Sequence, residues 1–449
     1  MWLVISCKNP FFWDTVLTSK IAQFYFDGGI SHLIVPLEMD AGHPPFFQAY
    51  LWITWVLFGK SLVVAHLSMI PFILLMVGSF YKICKYFFTD IRKVVLAMTL
   101  FCLEPTVLAQ STLVSYDIVL LSLSLFGLYA ILYEKRDWLY WVNILLLLTC
   151  VRSVIAVTTL FCVDIFVLWN KKTFSWFQLL KPYLVGGMFF CAWHLYHLQQ
   201  TGWMIFSPSP TWDGQRDIGN WNTYVRNIAV IIRNILDCGR IGLGIITGII
   251  LSHFLFNKIS IKNYNSKIYI ILIIVLVLHI IFLIPFTNPI GHRYLMWVYL
   301  MWILWISDIL WSIKYHKWLI ATMMTGMILG HFIVYPDKIS KGWDSSLAYL
   351  PYFKLKENMD EYVLEQIKRP IATKFPMVAS PCETNPLVQS REIHYSEFNI
   401  NDSHEKYVLY SNISNDFQEF EYEYIKQNFK LIHVERKGKI RLELYEREK

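Results

Sequence analysis

The sequence predicts an all-α polytopic membrane protein that carries a small α/β domain at its C-terminal end. Three observations lead there. Hydrophobic residues make up 55% of the 449 positions and charged residues only 16%, too little polar surface to cover a soluble protein of this size. Apolar runs near the ~20 residues needed to cross a ~30 Å hydrocarbon core recur between residues 59 and 335. After Tyr335 the chain turns polar, and KYVLYSN and FKLIHVERKGKIRLELYE alternate as strands do, with a helix expected between them at about 416–428.

Residues 1–58 form the first unit. Within it, 9–47 is a polar run with Gly and Pro punctuation bearing Asp14, Asp27, Glu38, Asp40 and His43, which reads as a structured loop with short helices outside the lipid. Residues 45–58 are apolar but too short to cross at 1.5 Å per residue, so they are expected to lie at the interface. The second unit, 59–335, holds spans at about 62–82, 92–112, 115–133, 176–198, 238–256, 267–286, 293–312 and 317–335. Residues 138–169 form one apolar stretch broken at Arg152-Ser153, either two short helices or a hairpin with Arg152 at its tip. The 199–237 loop, with SPSPTWDGQRD and then Arg226 and Arg233, is expected to hold an interfacial helix. Residues 336–449 form the third unit, about the size of an independently folding domain.

Basic clusters at Lys82/Lys85/Arg92/Lys93, Lys135/Arg136, Lys171/Lys172/Lys181, Lys258/Lys262/Lys267 and Lys314/Lys317 fall on one side, cytoplasmic by the positive-inside rule. The opposite side then receives the 9–47 loop, Asp117, Arg152, the 199–237 loop, His292-Arg293 and the C-terminal domain. The formal charge of +7 therefore reports orientation, and no basic stripe suits nucleic acid. The eight cysteines show neither metal-ligand spacing nor a disulfide framework.

Asp14 and His43-Pro44-Pro45 resemble the two ends of the first extracytoplasmic loop of GT-C polyprenyl-phosphate-sugar glycosyltransferases, the group that includes protein O-mannosyltransferases and lipid A aminoarabinose transferases. LEPTVLAQSTLVSYD adds Glu104 and Asp117, similar to an acidic pair of the O-mannosyltransferases. The resemblance implies a GT-C fold with an extracytoplasmic C-terminal domain in the plasma (inner) membrane. It implies transfer of a sugar from a polyprenyl phosphate to a protein, lipid or glycan acceptor. Asp14 is then the candidate general base, with Asp117 shaping the pocket. His43, Arg152 and Arg293 are the candidate phosphate ligands, with Asp40, Glu104, His292 and Tyr294 in support. No cofactor is implied; without an Asp-x-Asp motif near the donor loop, metal-independent transfer is expected.

Bland readings stand beside these: a helix cap for Asp14 and for Asp117, and interfacial snorkelling for either Arg. His66 replaces an Arg of the family, and a basic residue frequent near Thr112 is missing. Family members carry a full span before the loop, whereas Met1 to Cys7 is too short to cross, so the chain is expected to begin inside a truncated first helix. A transporter or lipid flippase is the alternative function, although no repeated halves are visible. A partner-recruiting scaffold leaves the gathering of charges unexplained.

Overall fold

The computed structural model describes residues 6–29, 33–172, 175–209, 217–255, 265–335, 342–367, 369–379, 393–401 and 405–448. Most of the apolar start, much of SPSPTWDGQRD, Lys258, Lys262, the 336–341 boundary and Cys382 lie outside the described residues.

Helix α1 (Thr15–Gly28) packs on α2 (Phe46–Phe58). It buries Val16, Ala22 and Tyr25 and ends at Gly29, whose φ of 71° suits a residue without Cβ. At 13 residues α2 is too short to cross, and it exposes Ile53, Val56, Leu57 and Phe58. Next come α3 (Leu62–Leu67) and α4 (Ile70–Phe87), together one 26-residue span. The expected 92–112 span divides into α5 (Ile91–Leu103) and α6 (Pro105–Gln110). Pro105 disfavours the helical conformation for the residue before it, and Glu104 is extended, its carboxylate accepting from Val107 N at 2.6 Å.

Helix α7 (Tyr116–Leu132) leads to the pair α8 (Arg136–Leu147) and α9 (Ser153–Asn170), with Arg152 in the turn between them. Helix α10 (Trp176–Thr201) is closed by Gly202 in the left-handed region. The 199–237 stretch holds α11 (Trp221–Leu236), set 95° from α12 (Ile241–Leu255), and the two together are long and apolar enough to form one broken span. The bundle continues with α13 (Ser266–Leu283), a 3-10 turn at His292–Leu295 that feeds α14 (Met296–Ile309), and α15 (His316–Gly330). Every residue of α14 is buried, so it is the central post of the bundle. A Cβ at Gly239, where φ is 83°, would fall 1.9 Å from the Gly326 carbonyl oxygen. Glycine there permits the close approach to α15.

Lys93 pairs with Asp308 at 2.7 Å, and Arg136 with Asp164 at 2.8 Å. Both pairs lie near the ends of α14 and α9 remote from Arg293 and Arg152, so the bundle has one end holding the predicted site and another holding basic residues of the orientation clusters.

Beyond the bundle, α16 (Pro351–Gln366) and α17 (Glu419–Asn428) accompany a mixed sheet. Its strands are β1 (Ile371–Thr373), β2 (Tyr395–Glu397), β3 (Tyr407–Ser411), β4 (Phe429–Lys437) and β5 (Ile440–Arg447), in the order β2-β1-β3-β5-β4. Strand β1 runs parallel to β2 and β3, and β5 runs antiparallel to β3 and β4. Sequence alternation located β3, β4, β5 and α17, whereas β1 and β2, three residues each, are too short to show a period. This domain does not stand apart. Phe12, Trp13, Ala109 and Leu113 share one hydrophobic cluster with Trp343, Tyr349, Tyr352 and Leu409, and Phe12 stacks on Tyr349 at 4.7 Å between ring centroids.

Candidate functional site

Arg293 organises the site. The 3-10 turn before α14 presents it to three carboxylates from distant parts of the chain: Asp14 on Nη2, Asp344 on Nη1 at 2.6 Å and Asp117 on Nε at 3.3 Å. Asp117 also binds Arg152 at 2.8 Å. Arg152 lies over the Tyr294 ring, 3.9 Å from its centroid, and 5.3 Å from that of Tyr116, a cation–π arrangement. Gln110 Nε2 donates to Asp344 Oδ2 at 2.8 Å.

Neither acid is spent as a helix cap. Asp14 occupies the N-cap position of α1 without a capping bond, and Ser115 caps α7 by accepting from Asp117 N at 3.1 Å. Arg293, with only 7% of its side chain exposed, is ion-paired inside the protein and does not snorkel. Among the described residues three carboxylates face two guanidiniums, an excess of one negative charge when all are ionised. Burial pushes the Asp14 carboxyl up, against the lowering effect of Arg293 and with the help of Asp344 and Asp117. The Asp14 side chain keeps 34% exposure, against 6% for Asp117 and 4% for Asp344. Of the three it is the carboxylate that an incoming group reaches.

Asp14, Asp117, Arg152, Arg293 and Tyr294 thus come together in one group. His43 sits one ring away, its imidazole 6.1 Å from the Tyr116 ring that Arg152 flanks. Asp40 turns elsewhere, to His197 Nε2 at 2.8 Å. Glu104 and His292 belong to a second network around Arg240, which is fully buried. Arg240 pairs with Glu104, donates to Thr106 Oγ1 and Asp237 at 3.0 Å each, and lies 4.1 Å from the Tyr299 ring centroid; His292 Nε2 donates to Asp237 at 2.8 Å. Asp237, Cys238 and His292 are close enough to share a cation. The Asp237 carboxylate, however, is already engaged by Arg240 and His292, and a guanidinium at 3.0 Å opposes a metal ion there.

Sequence reasoning missed Asp344, Gln110, Arg240, Asp237 and His197. Arg240 carried a readable signal, a charge within the apolar run read as 238–256.

A multi-span helical bundle that gathers buried acids and guanidiniums at one end, beside a mixed five-stranded sheet domain, defines a polytopic membrane protein with a C-terminal mixed-sheet domain. The solved structures agree. The chain superposes on ArnT from Cupriavidus metallidurans bound to undecaprenyl phosphate, with a TM-score of 0.58 and 11% identity over 99% of this chain and 95% of that one. It also superposes on the same protein in the apo state, with a TM-score of 0.58 and 10% identity over the same shares. At this identity the likeness shows the fold. No family model matches the sequence, and no curated protein matches it.

Proposed function

We propose that the protein is a membrane glycosyltransferase that moves a sugar from a polyprenyl-phosphate donor to an acceptor outside the cytoplasm. The observation that carries this reading is the convergence of Asp14, Asp117, Arg152 and Arg293 from four remote segments into one group. The likeness to a protein crystallised with undecaprenyl phosphate supports the donor class.

In the proposed reaction Asp14 removes the proton from an acceptor hydroxyl or amine, whose oxygen or nitrogen bonds to the anomeric carbon. The bond from that carbon to the phosphate oxygen breaks, and the lipid phosphate leaves with the electron pair. Arg152 and Arg293 stabilise the departing charge with charge-assisted hydrogen bonds, with His43 at the edge of the phosphate site. Asp117 fixes the relative position of the two guanidiniums. The phosphate takes up Arg293 donors that carboxylates occupy in its absence, and the excess negative charge makes Asp14 the group that gains most from a nearby proton. The protein lies in the plasma (inner) membrane with the C-terminal domain and the 9–47 loop on the extracytoplasmic side.

Membranes containing the protein, incubated with radiolabelled polyprenyl-phosphate sugars, should release label from the lipid pool for one donor. Retention of label on every donor, with movement of lipid across the bilayer instead, would replace this reading with a flippase.

A further inference from the structure

Resting on the glycosyltransferase reading, we propose that a recess beside His43 is a specificity pocket that receives one polar ring substituent of the donor sugar. Tyr25, Asp40, His43, Gln48, Trp193 and His197 line it. It lies next to the phosphate-binding group, since His43 packs against Tyr116 and Tyr116 against Arg152. A sugar whose phosphate is held by Arg152 would therefore lie within one aromatic ring of it.

Three features give the recess its chemistry. Its walls are fixed by internal bonds. Asp40 Oδ1 accepts from Gly42 N at 2.8 Å, Asp40 Oδ2 faces His197 Nε2 at 2.8 Å, and His197 Nδ1 lies 3.0 Å from the Trp203 carbonyl oxygen. Tyr25 donates to the Leu33 carbonyl at 3.0 Å. Against these satisfied groups stand two buried atoms with no hydrogen-bond partner among the described residues, the acceptor Gln48 Oε1 and the donor Trp193 Nε1; Gln48 is only 3% exposed. An orphaned buried acceptor and an orphaned buried donor in the lining of one recess are costly unless something fills their needs, and a hydroxyl, donor and acceptor at once, is the group suited to do so. Finally, the volume of about 20 Å³ admits about one water-sized group. A ring does not fit, but a hydroxyl or small amine projecting from a ring held outside does.

The second half of the wall is held by a glycine. Gly42 has φ of 71°, and a Cβ there would lie 2.3 Å from the Ile205 carbonyl oxygen. The 33–43 loop and the turn after α10 therefore close on each other only through a residue without a side chain.

The test compares purified wild type with Gln48→Leu, which removes the acceptor, and Trp193→Phe, which keeps a ring and removes the N–H. Binding is measured for undecaprenyl phosphate without sugar and for undecaprenyl phosphate carrying glucose, mannose, arabinose or 4-amino-4-deoxyarabinose. Wild type should prefer one sugar-bearing lipid over the bare one by about tenfold or more, as one satisfied hydrogen-bond pair allows. Each variant should lose most of that preference while binding the bare lipid as wild type does. Equal loss for bare and sugar-bearing lipids, or an unchanged preference in both variants, overturns the pocket. Wild type that binds bare lipid but no sugar-bearing lipid more tightly overturns the pocket alone. Wild type that binds neither removes the donor reading as well. Thermal unfolding of each variant checks that the comparison is made on folded protein.

Discussion

Replacing Asp14 by Asn separates catalysis from architecture. The two side chains have nearly the same shape, and Asn still offers Arg293 an acceptor, so the fold and the position of the guanidinium should persist. The substitution weakens one charge-assisted hydrogen bond, worth about 1.5–3 kcal/mol. It also removes the excess negative charge shared with Asp117 and Asp344, and about a third of the Asp14 side chain is solvent-exposed, so the net change in stability should be small. Proton acceptance, by contrast, is abolished. A positioned general base contributes about 10²–10⁴-fold, close to 3–5 kcal/mol of activation free energy. If Asp14 served only to steer Arg293, the loss would appear as weaker donor binding and would vanish at saturating donor. Single-turnover transfer at saturating polyprenyl-phosphate sugar, measured beside donor affinity on one Asp14→Asn preparation, tells these apart. Near-wild-type turnover would refute the base assignment.

The pH profile should show the same group. Burial raises the Asp14 carboxyl above the ordinary aspartate range; with its ionised form as the proposed base, activity should fall as pH drops through an ionisation higher than that range, and Asp14→Asn should flatten this acid limb. Arg152→Gln should raise the donor Kd by roughly ten- to a hundredfold, one charged hydrogen bond to phosphate; an unchanged titration returns Arg152 to a structural role. Arg240→Met should destabilise by about 3–5 kcal/mol because Glu104 is left buried and unpaired, with Arg240→Met/Glu104→Gln recovering part of it in thermal melts. Chelation by EDTA should leave transfer unchanged, and loss restored by Mg²⁺ or Mn²⁺ would contradict metal-independent transfer. A cysteine placed at Lys437 should react with an impermeant reagent from outside the cell; labelling solely from the cytoplasm would invert the proposed topology.

Asp14, Asp117, Arg152 and Arg293 were legible because a charge beside or within an apolar run is conspicuous, the lipid making it costly. Asp344 was not, since it lies in a polar stretch where acids are ordinary, and only the folded chain brings it 2.6 Å from Arg293. His197 hid among the aromatic residues of α10, its partner Asp40 far away in sequence. Glu104 and His292 were singled out as support for the site, and the folded chain places them in the network around Arg240 and Asp237. Nothing in the spacing of either announces Arg240, and a buried ion network looks from sequence just like a reactive one. The helices α5 and α6 show a similar limit. Hydropathy sees one run, while the proline that divides it acts through backbone geometry.

The pairing of Arg293 with both Asp14 and Asp344, and of Phe12 and Trp13 with the aromatic residues that follow Trp343, sets an order of events during biogenesis. Synthesis proceeds from the N-terminal end, so Asp14 is made long before its partners exist. Until α14 has inserted and the downstream domain has docked, the first loop has a carboxylate without a cation and two large aromatic side chains without a surface to cover them. The site therefore closes last, as a checkpoint on the whole chain. A lesion anywhere between the two ends that prevents their meeting leaves a membrane protein with most of its helices in place, its Phe12–Trp13 aromatic pair uncovered, and its cluster of acids and guanidiniums incomplete.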